Sequence, residues 1–286
     1  MVVQQHRSGG GARAVRALAV MGVMAAAAGC AGGGGDRATS AADARGGAVE
    51  VVRRAAAVLA GDGVASAEVS TSMETAAGGT RVTIRGTGAY DFRAGSGRLK
   101  VVLPPDAAGG EEHRPITELL APGALYMMNR GAGVPEDKWV RIDTTALEDG
   151  NLVTGGVTDP MAAAELLRGA GAVTYVGETD LAGVTVRHYR GTADIGRAAR
   201  LAAAPSRAAL AAAAQGFRTG AVPFDAYLDE QGRLRKVRHR FSFANEGGPV
   251  MEVVSTTLLY GFGVPVTVRL PDERDIYTGE IGQGRA

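Results

Sequence analysis

Apolar and polar positions alternate with a period of two along much of the chain. At residues 67–74, Ala67, Val69, Thr71 and Met73 interleave with Glu68, Ser70, Ser72 and Glu74. Successive side chains of a strand point to opposite sides of a sheet, so this pattern predicts a strand with one dry face. Gly78-Gly79 turns the chain, and Val82, Ile84, Gly86, Gly88 and Tyr90 then form the apolar row of a return strand, opposite Arg81, Thr83, Arg85 and Thr87. A third strand carries Leu99, Val101 and Leu103 and stops at Pro104-Pro105, followed by a polar loop with Glu111, Glu112 and His113. Residues 125–128 and 138–143 predict paired strands around a Gly/Pro-rich loop. Strands resume at 172–176 and 184–189, joined by a turn with Gly183. Further strands follow at 223–228, 234–243 after the turn Asp229-Glu230-Gln231-Gly232, 250–260, and a last short one at 264–270 before Pro271.

The period changes to three or four in three places. Val49, Val52, Ala56 and Leu59 mark one face of a helix over 48–59, which Gly61 and Gly63 stop. Asp159 before Pro160 combines an N-cap with proline in the first turn, and Gly169 ends that helix. Residues 195–214 are Ala-rich and contain Pro205, which a helix interior does not hold without a kink, so two short helices are expected. Arg197, Arg200 and Arg207 make a membrane span there too costly. Antiparallel strands interrupted by helices at the start, middle and two-thirds point define an α+β fold. They match neither an alternating βαβ pattern nor a helix-free barrel.

The amino-terminal stretch follows another rule. Arg7, Arg13 and Arg16 precede a short apolar run at 17–28, and Ala27-Ala28-Gly29-Cys30 resembles the lipobox of bacterial lipoproteins, with the only cysteine of the chain at the acylated position. Ala27 stands where that pattern usually has Leu, which leaves ordinary secretory cleavage nearby as the alternative. The run is short of the roughly 20 residues that cross a bilayer. On this reading residues 1–29 are a signal peptide and Cys30 carries the lipid anchor at the extracytoplasmic face of the cell membrane. Residues 30–47 are a flexible tether with ends about 20–25 Å apart, and residues 48–286 are one domain. Cleavage leaves 28 basic against 30 acidic residues, a formal charge of −2, which excludes an electrostatic trap for nucleic acid. With Cys30 acylated no disulfide can form, so the domain must hold by its core alone. Lys100, Lys138 and Lys236 are the only lysines; this arginine bias, with high Ala and Gly, is associated with GC-rich genomes such as those of actinobacteria.

Three stretches carry a resemblance to a known family: Leu125-Tyr126 with Lys138-Trp139-Val140-Arg141-Ile142-Asp143, the run from Ala226 through Gly232 to Leu234, and Tyr260-Gly261-Phe262-Gly263-Val264-Pro265 leading to Pro271. Together they resemble the LppX and LprG type of actinobacterial lipoproteins, in the superfamily of the LolA lipoprotein carrier. The resemblance implies a strongly curved antiparallel half-barrel with helices on its concave side and a hydrophobic cavity between them, with acylated lipids as cargo in some members. On the residues themselves, two apolar faces are candidate cavity walls. Val82, Ile84 and Tyr90 share one with Gly86 and Gly88, at which a sheet bends, and Val237, Phe241 and Phe243 share the other, opposite Lys236, Arg238 and Arg240. The same faces are equally compatible with a filled core.

Catalytic signatures are missing. His113, His188 and His239 are widely spaced, with no HExxH and no paired cysteines for a metal, and no cofactor motif occurs. Gly95-Ser96-Gly97 falls in a hairpin turn without the rest of a nucleophile elbow, and Glu111-Glu112-His113 reads as a solvated loop rather than a cation site. The expected role is therefore not enzymatic. It is that of a membrane-anchored lipoprotein binding or shuttling a lipid or other apolar ligand, or alternatively an interaction module with a filled core that presents a surface to a protein partner such as a sensor.

Overall fold

In the computed structural model, which describes residues 35–61, 64–77, 80–104, 114–131, 133–153, 157–243 and 250–279, the alternating segments form eleven strands. They are β1 Ser66–Ala77, β2 Thr80–Asp91, β3 Ser96–Val102, β4 Ile116–Ala121, β5 Ala124–Met128, β6 Trp139–Asp143, β7 Ala170–Leu181, β8 Val184–Asp194, β9 Ala221–Leu228, β10 Leu234–Phe243 and β11 Met251–Tyr260. The helices are α1 Gly35–Leu59, α2 Pro160–Leu166, α3 Ile195–Leu201 and α4 Ala204–Gly216. Side chains are described from Gly47 onward, except those of residues 77, 80 and 243. Cys30, the Gly78-Gly79 turn and Glu111-Glu112-His113 lie outside the described residues. Ser40–Ala286 forms one compact unit, and α1 begins within the stretch that the sequence assigns to the tether.

All strands join one antiparallel sheet in the order β6-β5-β4-β3-β2-β1-β11-β10-β9-β8-β7. Two meanders, β1 to β6 and β7 to β11, are united where the first strand pairs with the last, Thr71 opposite Thr257. The sheet stays open, and with helices on one face it is the curved α+β half-barrel that the sequence leads one to expect. Partners directly opposite in a ladder share a face, so rows of inner residues can be followed from strand to strand. One row runs Ala67, Tyr90, Gly97, Leu120, Leu125, Ile142; the next runs Val69, Gly88, Leu99, Glu118, Met127, Val140. Ala48, Val52, Ala55, Ala56 and Leu59 of α1 are buried in the same core, and Arg53 Nε donates to Ala170 O at 2.8 Å where β7 begins.

Two elements differ from expectation. β4 occupies a stretch with no predicted strand, because Glu118 stands in its apolar row and masks the alternation. Residues 264–270, predicted as a strand, join no ladder. Both neighbours of β11 are already paired, so the extended segment has no free edge beside it. It runs as a strap past Leu119 and Trp139 and reaches the β6 edge at Trp139, whose carbonyl accepts from Tyr277 N at 2.8 Å. Trp139 is half-buried and Leu119 is buried on this outer side of the sheet. The break at Pro205 is as expected: α3 ends at Leu201 and α4 starts with proline in its first turn.

Candidate functional site

The chain leaves the first meander at β6 and enters the second at β7, on the opposite edge, so residues 144–169 must cross the sheet. A turn-rich loop at 144–153 and then α2 make that passage. Gly150, at φ 56°, lies so close to α4 that a Cβ there would stand 2.0 Å from Ala209 O, so no larger residue fits. Asp149 holds the loop from within, its carboxylate accepting from Asn151 N at 3.1 Å and Val153 N at 2.7 Å. Glu165 of α2 accepts from Arg168 Nε at 2.6 Å and from Ala203 N at 3.1 Å, which fixes α2 against the start of α4.

Between these helices and the β2–β3 and β4–β5 hairpins lies a cavity of about 290 Å³. Its walls are largely apolar, with Phe92, Leu120, Pro122, Met161 and Leu210 among the lining residues. The polar lining centres on Asp159. Its Oδ1 accepts from Met161 N at 2.7 Å and Ala162 N at 2.9 Å, capping α2 as the sequence predicts, and its Oδ2 accepts from Tyr90 Oη at 3.2 Å. Burial raises the pKa of Asp159, offset in part by those donors. Burial, and then the charge of Asp159, push the Tyr90 hydroxyl well above its ordinary value. Gly97 makes room for the Tyr90 ring, since a Cβ there would meet it at 2.4 Å.

The six residues expected to wall a cavity fall in different places. Tyr90 lines the cavity. Val82, on the same strand, is 37% exposed at the far end of β2, and Ile84 is half-buried opposite Met73. Val237 and Phe241 are buried in the core, the Phe241 ring packed against Phe217 with centroids 5.5 Å apart. Phe243 pairs with Met251 through its backbone, and its side chain lies outside the described residues. The fold is similar to those of several solved bacterial proteins. LprF from Mycobacterium bovis is 12% identical, with a TM-score of 0.41 over 79% of this chain and 97% of that one. LppX from Mycobacterium tuberculosis is 11% identical, with a TM-score of 0.43 over 78% and 99%. A LolA superfamily protein from Nitrosomonas europaea is 12% identical, with a TM-score of 0.32 over 80% and 97%. No protein-family model matches the chain, and no curated protein matches it.

Sequence reasoning missed two buried polar residues. Glu118, on the inner face between Leu99 and Met127, is 1% exposed, and neither carboxylate oxygen has a partner. Burial raises its pKa to about 8, with the charge of Arg130 acting in the opposite sense. Asn151, beside the cavity, keeps Oδ1 buried and unpartnered. Neither stands in a recognisable motif, and β4 itself was unread. The two described histidines separate by face. His239 is buried on the inner side, where desolvation lowers its pKa to about 3. His188, on the outer side, stacks on Tyr227 and contacts Asp225 at 2.8 Å. Burial works against the Asp225 carboxylate, but hydrogen bonds from His188, Arg190 and Arg240 outweigh it and hold the pKa low. Among the described residues no cluster of His, Cys, Asp or Glu is arranged for a metal ion, and no helix is long and apolar enough to cross a membrane.

Proposed function

We propose that this chain is a membrane-anchored extracytoplasmic lipoprotein that binds or shuttles a lipid or other apolar ligand, anchored through Cys30 and holding the ligand in the cavity between α2, α4 and the sheet. The observation that carries this reading is the cavity itself. Its volume of about 290 Å³ lies near the lower end of the roughly 300–1,000 Å³ of small-molecule sites. A sealed void of that size would cost several kcal/mol at roughly 24 cal/mol per Å³, so it is filled by water or by ligand, and walls of Phe92, Leu120, Met161 and Leu210 favour an apolar occupant. Its ionisable lining is Tyr90, Arg93 and Asp159, with the carboxylate engaged in capping α2. That set suits binding rather than catalysis. The packing of Phe241 on Phe217 favours the second reading, an interaction module with a closed core.

Organic extraction of the purified protein followed by mass spectrometry separates the two. The carrier reading expects an apolar molecule from the wild type and none from Ala162→Phe, in which the added ring fills the cavity from α2 with little change in unfolding midpoint. An empty wild type, together with a variant destabilised by roughly 1–3 kcal/mol through overpacking, supports the module instead.

A further inference from the structure

We propose that the cavity selects an amphiphile whose polar end donates hydrogen bonds, a hydroxyl or an amine, over one with an anionic head such as a carboxylate or phosphate. This rests on the cavity being the ligand site and names the chemistry that it accepts. The backbone N–H groups of Met161 and Ala162, which open α2, are already given to Asp159 Oδ1, and the Tyr90 hydroxyl donates to Oδ2. The donors around Asp159 are therefore used within the protein. What remains at that group is acceptor capacity. Each carboxylate oxygen accepts more than one hydrogen bond, so a donor on a ligand can still be taken up there.

A donating head offers Asp159 a charge-assisted hydrogen bond. An anionic head does the reverse. It brings a second negative charge beside Asp159, between largely apolar walls. Thr144 and Ser206 also line the cavity, but a hydroxyl serves either role and does not discriminate. Arg93 lines it too, and that side chain is exposed, so water and salt screen its charge.

Binding of 1-decanol, decylamine and decanoate to the full chain at pH 7 tests the selection, because the three probes share a tail and differ in the head. Decanol and decylamine should each bind roughly tenfold more tightly than decanoate, or better. Asp159→Asn keeps a capping side chain for α2 and removes the charge, so the gap should narrow. Asn151→Asp sits at φ 64°, a conformation that Asp also tolerates, and adds a charge, so the gap should widen. Equal affinities for the three probes in the wild type, or a gap that neither variant moves, overturn the selection and leave the cavity reading in place. Failure of all three to bind removes the cavity reading as well.

Discussion

Glu118 and His239 face the same dry side of the sheet, each 1% exposed, and titrate in opposite senses. Glu118 has its pKa raised from 4.5 to about 8 by burial. Between those values the folded state keeps a proton that the unfolded chain has released, so stability falls as pH rises through the window. His239 is lowered from 6.5 to about 3. There the unfolded chain binds the extra proton, and stability falls as pH drops from 6.5 towards 3. The two slopes cancel in the overlap, so these groups predict a plateau of stability between about pH 4.5 and 6.5, with a decline on either side. Urea unfolding across pH 4 to 8.5 checks this. Glu118→Gln should remove the alkaline decline, about 2 kcal/mol between pH 6.5 and 8 at 1.36 kcal/mol per pKa unit; parallel profiles for wild type and variant would refute it. At this scale Tyr90 was legible as an inner-face residue, since period two fixes the face. Val237 and Phe241 were equally legible, but the packing of Phe241 turns on Phe217, whose approach from the end of α4 leaves no local trace.

Among the elements, the carboxy-terminal strap has the clearest mechanical role. Gly263 N donates to Ser66 O at 2.9 Å and Ser66 Oγ to Val264 O at 2.6 Å, Lys138 Nζ donates to Arg274 O at 2.8 Å, and the Arg233 and Arg235 guanidinium groups lie 4.7 and 5.0 Å from the Phe262 ring. Between those ties the strap passes Leu119 and Trp139 on the outer face of β4 and β6. Deleting residues 264–286 should uncover both side chains and lower unfolding stability by roughly 2–4 kcal/mol, measured by urea denaturation. A loss below the error of the measurement would show that the strap packs without holding. Alternation along Val264, Val266 and Val268 was a true signal of extended backbone with one half-buried face. It misread the partner, because a ladder needs a free edge and the topology leaves none beside β11. The opposite error hid β4, where one glutamate in a core position erased the apolar row.

At the scale of the whole molecule, the proposed function would join the anchor to the cavity: a tethered body would load and release its ligand near the membrane. Two or three acyl chains on Cys30 hold a protein firmly where one chain is marginal, so Cys30→Ser should move the protein from the membrane fraction to the soluble one. Retention of that variant on membranes after a salt wash would remove the anchor from the proposal.

The local grammar was readable from the chain alone. It set which segments alternate, where Asp159 caps a helix, where Pro205 divides one, and which side of β1, β2 and β10 stays dry. These are outcomes of neighbours two to four residues apart, governed by strand pleat, helix pitch and capping. The pairing of Thr71 with Thr257, which closes two meanders into one sheet, was decided only by the tertiary structure. So was the passage of residues 144–169 from edge to edge. That passage sets the 144–153 loop and α2 over the rims of two hairpins and leaves the cavity between them. Such contacts join residues far apart in the chain, where the gain depends on how whole faces fit, and no short-range pattern records that fit.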